Sequence, residues 1–244
     1  MSRPTYRRHV HDETVQPTPA TAQRRGWPHV IPHFISSAPV TFAWLTVLFM
    51  TTVVQHLLPR IHLRELLQQD STNLHHLAAN PVRVLLTSLF WIDGYAWWPY
   101  LLIFCLFLAP AERWLGSLRF LIAGLTAHVL ATFISEGFLY WQIQEAIVSP
   151  RNLNARDIGV SYFIVGIIGL LTYHIVRPWR RVYLLVSIAW FGIPLALNPK
   201  FTPLGHVSAL IIGLALYPLS RGRTEPPLDP GRILHLRRRP RPAA

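Results

Sequence analysis

The chain has 244 residues, of which 51% are hydrophobic and 14% charged, whereas a soluble globular domain carries about 25% charged residues. This composition argues against an ordinary cytosolic enzyme, and the single cysteine, Cys105, excludes an intramolecular disulfide framework or a multi-cysteine metal site. The net charge of +12 fits either an anionic membrane surface or a nucleic acid as partner.

Six stretches of the sequence lack Asp, Glu, Lys and Arg over lengths close to a membrane span. In chain order they cover residues 38–58, 94–111, 120–135, 158–176, 182–199 and 201–220. We expect the third to continue to Trp141, because about 20 residues are needed to cross the hydrocarbon core. Buried helices of a soluble protein would need polar faces, which these stretches lack. The sequence therefore predicts an all-α membrane protein with six transmembrane helices over residues 38–220.

The two flanking segments, residues 1–37 and 221–244, are rich in Arg and Pro, and we expect both to be disordered. Most of the 23 basic residues lie in these tails and in two of the connections between spans. The positive-inside rule then places both termini in the cytoplasm. Because the tails lack interleaved aromatic residues and a zinc pattern, anionic lipid explains their arginines better than nucleic acid does. We predict a multi-pass protein of the plasma membrane that binds no nucleic acid.

The connection between the first two spans, residues 59–93, is unusually long and partly apolar. It carries apolar clusters between charged residues such as Arg83 and Asp93. This mixture predicts an amphipathic element in the outer interface. Further along the chain, Trp190 falls near the middle of the fifth span and is interpreted as a packing residue.

Polar side chains within a membrane are costly, so each is a candidate for function. Ser161 lies near the start of the fourth span and His206 near the start of the sixth, which is predicted to run in the same direction. At 1.5 Å per residue both lie roughly 5 Å below the outer boundary. An imidazole at that position can remove the hydroxyl proton of a serine nucleophile. The same pair can also serve only as a hydrogen bond between helices, and spacing alone leaves both interpretations open.

Small residues on the same two spans indicate that the helices approach each other closely, since small side chains at four-residue spacing let membrane helices pack tightly. They are Gly159, Gly166 and Gly169 in the fourth span and Gly205, Ala209 and Gly213 in the sixth. Small residues are also frequent in any helical bundle. No metal or other cofactor is expected.

These residues resemble motifs of the rhomboid intramembrane serine proteases. In that family the nucleophile lies in a Gly-x-Ser-Gly motif on the fourth helix, and the base is a histidine on the sixth, followed by small residues after three and seven positions. The matching residues are Gly159, Ser161, His206, Ala209 and Gly213, and Glu112 to Gly116 resembles the family's Glu-x-x-x-Gly motif. Residues 81–90 resemble the stretch before the second helix. The resemblance covers about residues 38–220.

The sequence departs from the family at three motif positions. Tyr162 replaces the glycine that follows the nucleophile, in a region where backbone approaches the substrate. The family's two oxyanion donors, a histidine and an asparagine, correspond to Ala96 and Tyr100. The Tyr100 hydroxyl and the Ser161 amide are the remaining candidate donors. Loss of one such donor costs about 3–4 kcal/mol of transition-state stabilisation.

The resemblance therefore implies one of two functions. The first is an intramembrane endopeptidase with Ser161 as nucleophile and His206 as general base, cutting a transmembrane segment that enters from the outer leaflet. The second is a non-catalytic rhomboid-fold protein that binds membrane clients. Both imply a bilayer and a transmembrane protein as partners. A small transporter is less favoured, because its polar site would lie near mid-membrane.

Overall fold

The computed structural model describes residues 30–92, 94, 96–154, 160–223 and 225–231. Its helices are α1 (Val30–Ser36), α2 (Pro39–Leu57), α3 (Arg60–Gln69), α4 (Leu74–Ala79), α5 (Pro81–Thr87), α6 (Trp98–Ile103), α7 (Ala109–Leu115), α8 (Ser117–Gln144), α9 (Val160–Leu171), α10 (Trp179–Leu197) and α11 (Phe201–Ala215). A π-helical turn, Phe104–Leu108, joins α6 to α7. The prediction of an all-α chain is confirmed over these residues.

Three of the described helices, α2, α8 and α10, are long and apolar enough to cross a membrane. The extension of the third span past residue 135 is confirmed, because α8 continues to Gln144. In the fourth and sixth predicted spans the α-helices are shorter, with 12 residues in α9 and 15 in α11, and each passes into a 3₁₀ turn. The six-span topology and the side of the termini therefore stay predictions.

The second predicted span begins later than the sequence suggested, at Trp98 rather than at residue 94. Gly94 has a φ of 85°, which a right-handed helix cannot contain. Pro99 lies in the first turn of α6. Backbone N–H groups in that turn have no acceptor within the helix, so a proline there costs no hydrogen bond. The helix therefore begins at Trp98, just before the proline.

Helix α9 lies at the centre of the bundle, where it packs mainly against α8 and α11. Every side chain from Val160 to Leu171 except that of Ser161 is buried. A helix that is apolar on all sides is expected to be enclosed in this way. Phe163 makes edge-to-face contacts with Trp44 of α2 and Phe120 of α8, with ring centroids 4.7 and 5.3 Å apart. These aromatic contacts hold the helix that carries the candidate nucleophile.

Helix α10 lies at the periphery, and Ser187 is its one buried residue. Two hydrogen-bonded side chains attach its first turns to α9 and to the turn that follows it. The Tyr183 hydroxyl donates to the Ile168 carbonyl at 3.0 Å, and Arg180 donates to the carbonyls of Tyr173 and Ile175. Beyond these contacts α10 stands away from α9, which leaves a cavity between them.

Both segments expected to be disordered contain ordered residues next to the bundle. At the N-terminal side α1 begins at Val30, and Arg113 lies 4.5 Å over the ring of Phe34. At the C-terminal side Leu228 pairs with the strand-like residues after α9: its amide donates to His174, and its carbonyl accepts from Val176. Composition describes a segment as a whole and does not indicate such contacts with residues distant in the sequence. Residues 1–29 and 232–244 lie outside the described part of the chain.

The long connection between the first two predicted spans is folded into α3, α4 and α5. Asp70, just after α3, joins that helix to the later part of the connection, because its carboxylate accepts from the Trp91 indole at 2.9 Å and lies 3.7 Å from Arg83 of α5. Ile61 and Val82 are largely exposed on its surface. Exposed aliphatic side chains beside charged ones are typical of a membrane interface, so the interfacial placement stays a prediction with this support.

The Glu112 motif joins three helices. The buried Glu112 carboxylate accepts hydrogen bonds from the amides of Val40 and Thr41, at 3.0 and 2.7 Å, and from the Ser117 hydroxyl at 2.6 Å. It therefore caps the start of α2 from α7. Gly116 has a φ of 77° between α7 and α8, a conformation that favours glycine.

Replacing Glu112 by Ala should lower the free energy of unfolding by about 3 kcal/mol, because buried amides at the start of α2 lose a charged acceptor. Thermal unfolding of the purified protein in detergent measures the change. Glu145→Ala is the matched control, since Glu145 is exposed just after α8. Equal stability of the two variants would contradict the capping role.

Candidate active site

Ser161 and His206 lie within hydrogen-bond distance of each other. Ser161 is in the first turn of α9 and His206 is in the second turn of α11, and the Ser161 Oγ lies 3.0 Å from the His206 Nε2. Both side chains are partly exposed, whereas the residues around them on α9 are buried. A nucleophile and a base separated by this distance can exchange a proton directly.

The small residues set the distance between α9 and α11. A Cβ at Gly169 would lie 2.5 Å from the Leu210 carbonyl, and one at Gly213 would overlap the backbone of Gly166. A Cβ at Gly166 would overlap Ala127 of α8 and lie 3.7 Å from the carbonyl of Ala209. Ser161 lies beside His206, and Gly169, further along α9, lies beside Leu210 and Gly213, further along α11. The two helices therefore run in the same direction. Gly159 lies outside the described residues.

Tyr162 points away from the opening of the site. Its ring is fully buried and packs edge-on against the His206 imidazole, with centroids 5.4 Å apart. Its hydroxyl donates to the Ser135 hydroxyl on α8 at 3.3 Å, and a Cβ at Gly205 would overlap the ring. The residue that replaces the family's glycine therefore fills the space behind the His206 imidazole and does not line the cavity in front of Ser161.

The His206 ring lies between two aromatic side chains. Tyr162 contacts it from α9, and Phe191 approaches it from α10 at a centroid distance of 5.8 Å. These contacts limit rotation of the imidazole and leave its Nε2 directed at Ser161. Sequence reasoning missed Phe191, since an aromatic residue within an apolar span carries no distinguishing signal.

Ser161 and His206 open into a cavity of about 770 Å³. Its walls are α6 with the π-helical turn on one side, α10 on the other, and α9 between them. Tyr100 lines this cavity together with the pair, whereas Ala96 is exposed before α6. Trp190, interpreted from the sequence as a packing residue, lines the cavity and is 73% exposed, because α10 is peripheral.

The start of α9 supplies further polar groups to the site. Amides in the first turn of a helix have no acceptor within the helix, and they carry partial positive charge. The Ser161 amide belongs to this turn. The arrangement thus combines a hydroxyl, an imidazole and helix N-terminal amides at the mouth of an apolar cavity.

A comparison with family models matches residues 33–226 to that of rhomboid-like proteins. The chain belongs to the rhomboid-like family. This confirms the resemblance inferred from the motifs. With its apolar helices, the chain is a rhomboid-like membrane protein. No curated protein and no solved structure matches it.

Proposed function

We propose that this rhomboid-like protein is an intramembrane serine endopeptidase that cleaves a transmembrane segment near the outer leaflet. In this proposal it crosses the plasma membrane six times with both termini in the cytoplasm. Ser161 is the nucleophile and His206 is the general base. The observation that carries the proposal is the 3.0 Å separation of the Ser161 Oγ and the His206 Nε2.

The reaction follows from the positions of these atoms. The Ser161 hydroxyl attacks the scissile carbonyl carbon while His206 takes its proton at Nε2. The protonated imidazole then gives that proton to the leaving amine, and a water molecule, activated by the same imidazole, releases the acyl group from Ser161. The Ser161 amide and the Tyr100 hydroxyl are the groups we assign to the developing oxyanion.

The second candidate is a non-catalytic protein that binds membrane clients in the same cavity. Ala96 favours it, because an alanine side chain has no hydrogen-bond donor and this one is exposed at a position where the family places an oxyanion donor. Under this alternative the apolar cavity binds the client, and the Ser161–His206 hydrogen bond only joins α9 to α11.

Labelling with a fluorophosphonate separates the two candidates, because the reagent modifies only an activated serine. We expect the wild-type protein in detergent to be labelled and Ser161→Ala to lose the label. Ser208→Ala, a serine two residues after His206 on α11, is the matched control and should keep it. Absence of Ser161-dependent labelling from folded protein would support the non-catalytic alternative.

A further inference from the structure

The cavity extends along α9 well beyond the Ser161–His206 pair. Ser161, Ile164, Val165 and Ile168 form one stripe of α9 along its floor, and Ile175 lies at its far end. From Ser161 to Leu171 the α-helix rises about 15 Å, and the 3₁₀ turn that leads to Ile175 adds about 6 Å. Pro230 of the ordered C-terminal segment lines the cavity at that far end, where Leu228 bonds to His174 and Val176. The result is a long apolar groove with its reactive groups at one end.

Two polar side chains of the deeper wall, Tyr183 and Ser187, already form hydrogen bonds within the bundle. The Tyr183 hydroxyl donates to the Ile168 carbonyl, and the Ser187 hydroxyl donates to the Tyr183 carbonyl. An extended peptide backbone in the deep part of the groove would need hydrogen-bond partners that these two side chains do not supply, whereas a helical segment satisfies its own backbone. A hydrocarbon chain needs none and gains from burial of each methylene. The chemistry of the walls therefore favours an acyl chain in the deep part of the groove.

The length and direction of the groove match one chain of a membrane lipid. Half of the hydrocarbon core is about 15 Å thick, which is the depth that one acyl chain covers from its ester towards the midplane. The groove starts at Ser161, near one end of α9, and runs towards the other end. A lipid whose chain fills the groove thus places its ester carbonyl beside Ser161, whichever side of the membrane that end faces.

We propose that Ser161 also hydrolyses a long-chain fatty acyl ester whose chain lies in this groove. The step uses water as its co-reactant and requires no metal or redox partner. Ser161 Oγ attacks the ester carbonyl carbon and His206 takes the hydroxyl proton; the bond to the alcohol oxygen breaks, and His206 returns the proton to it. Water then cleaves the acyl-serine ester, releasing the fatty acid and restoring both side chains.

An ester suits the altered oxyanion region better than an amide does. The peptide bond is stabilised by resonance, and its amine is a poor leaving group. An ester carbonyl is more electrophilic and its alcohol leaves more readily, so it depends less on oxyanion donors. Each lost donor slows acyl transfer by about 100- to 1,000-fold. Ala96 supplies no donor at one of the family's two positions, and Tyr100 supplies only a hydroxyl at the other. This loss is more tolerable for an ester.

The test compares hydrolysis of p-nitrophenyl palmitate and p-nitrophenyl butyrate by the full-length protein in detergent micelles. We expect the wild type to hydrolyse the palmitate and Ser161→Ala to lose at least about 100-fold of that rate. Val186→Trp places an indole in the groove and should lower the palmitate-to-butyrate rate ratio at least about tenfold. Val182 lines the same wall of the groove, and Val182→Trp should also lower the palmitate-to-butyrate rate ratio.

Leu185→Trp is the matched control, because Leu185 is the neighbouring exposed residue of α10 and lies outside the groove wall; its rate ratio should equal that of the wild type. Circular dichroism identifies a variant that fails to fold. An unchanged ratio in both folded groove variants would overturn the proposal.

The inference rests on the same Ser161–His206 pair as the proposed endopeptidase, and the substrates keep the two apart. Cleavage of a transmembrane peptide without hydrolysis of either ester would overturn the ester hydrolase and leave the endopeptidase standing. Ester hydrolysis without peptide cleavage would overturn the endopeptidase and leave the ester hydrolase standing.

Discussion

Replacing His206 by Ala should slow modification of Ser161 by a fluorophosphonate about 100- to 10,000-fold. The imidazole Nε2 lies 3.0 Å from the Ser161 Oγ, and without it the hydroxyl keeps its proton and is a weak nucleophile. Groups that act as one unit have strongly non-additive effects. We therefore expect Ser161→Ala and the double variant Ser161→Ala/His206→Ala to have the same residual rate of substrate cleavage.

The matched control for this prediction is His62→Ala, since His62 is an exposed histidine of α3, away from the site. Its labelling rate should equal that of the wild type. If His206→Ala were labelled as fast as His62→Ala, His206 would not be the base, and its bond to Ser161 would serve only to join the two helices.

Replacing Tyr162 by Gly should destabilise the protein by about 3–5 kcal/mol, the range measured when large aromatic side chains are removed from a core. The substitution restores the residue that the family carries after its nucleophile. Here, however, the Tyr162 ring is fully buried and fills the space between His206, Gly205 and Ser135. Its removal leaves a cavity behind the imidazole, so we expect lower stability and slower labelling of Ser161.

Tyr162→Phe separates the ring from its hydroxyl. It keeps the contact with His206 and loses the bond to Ser135, which should cost about 1 kcal/mol and leave the labelling rate close to wild type. Thermal unfolding and labelling are measured on the same preparations. Faster labelling of Tyr162→Gly than of the wild type would mean that the ring obstructs the site instead of supporting it.

Many of the helices and the candidate Ser161–His206 pair could be predicted because they depend on hydropathy and on residue spacing along the chain. Exclusion of charge from a hydrocarbon layer marked the apolar stretches, and the length needed to cross that layer predicted that the third helix continues past residue 135. The helical rise places Ser161 and His206 at matching depths in two spans, and glycine spacing indicates that these spans approach closely. The family assignment, based on the same residues, is confirmed by the match over residues 33–226.

The direction of the Tyr162 side chain could not be predicted from its neighbour in the sequence. Residues 161 and 162 are adjacent, but consecutive side chains of a helix point about 100° apart. Which of the two faces the cavity depends on how α9 is rotated against α8 and α11. That rotation is set by the close contacts of Gly166 and Gly169 with their partners across the bundle.

The sequence by itself therefore determined the membrane character of the chain, because composition and hydropathy are properties of the chain alone. Its motifs, by their resemblance to a known family, indicated the family and which serine and histidine are candidates. Only the tertiary structure decided that Tyr162 lies behind the His206 imidazole, that α10 stands away from α9, and that Pro230 lines the cavity. These features arise from contacts between segments distant in sequence, whose geometry no local pattern specifies.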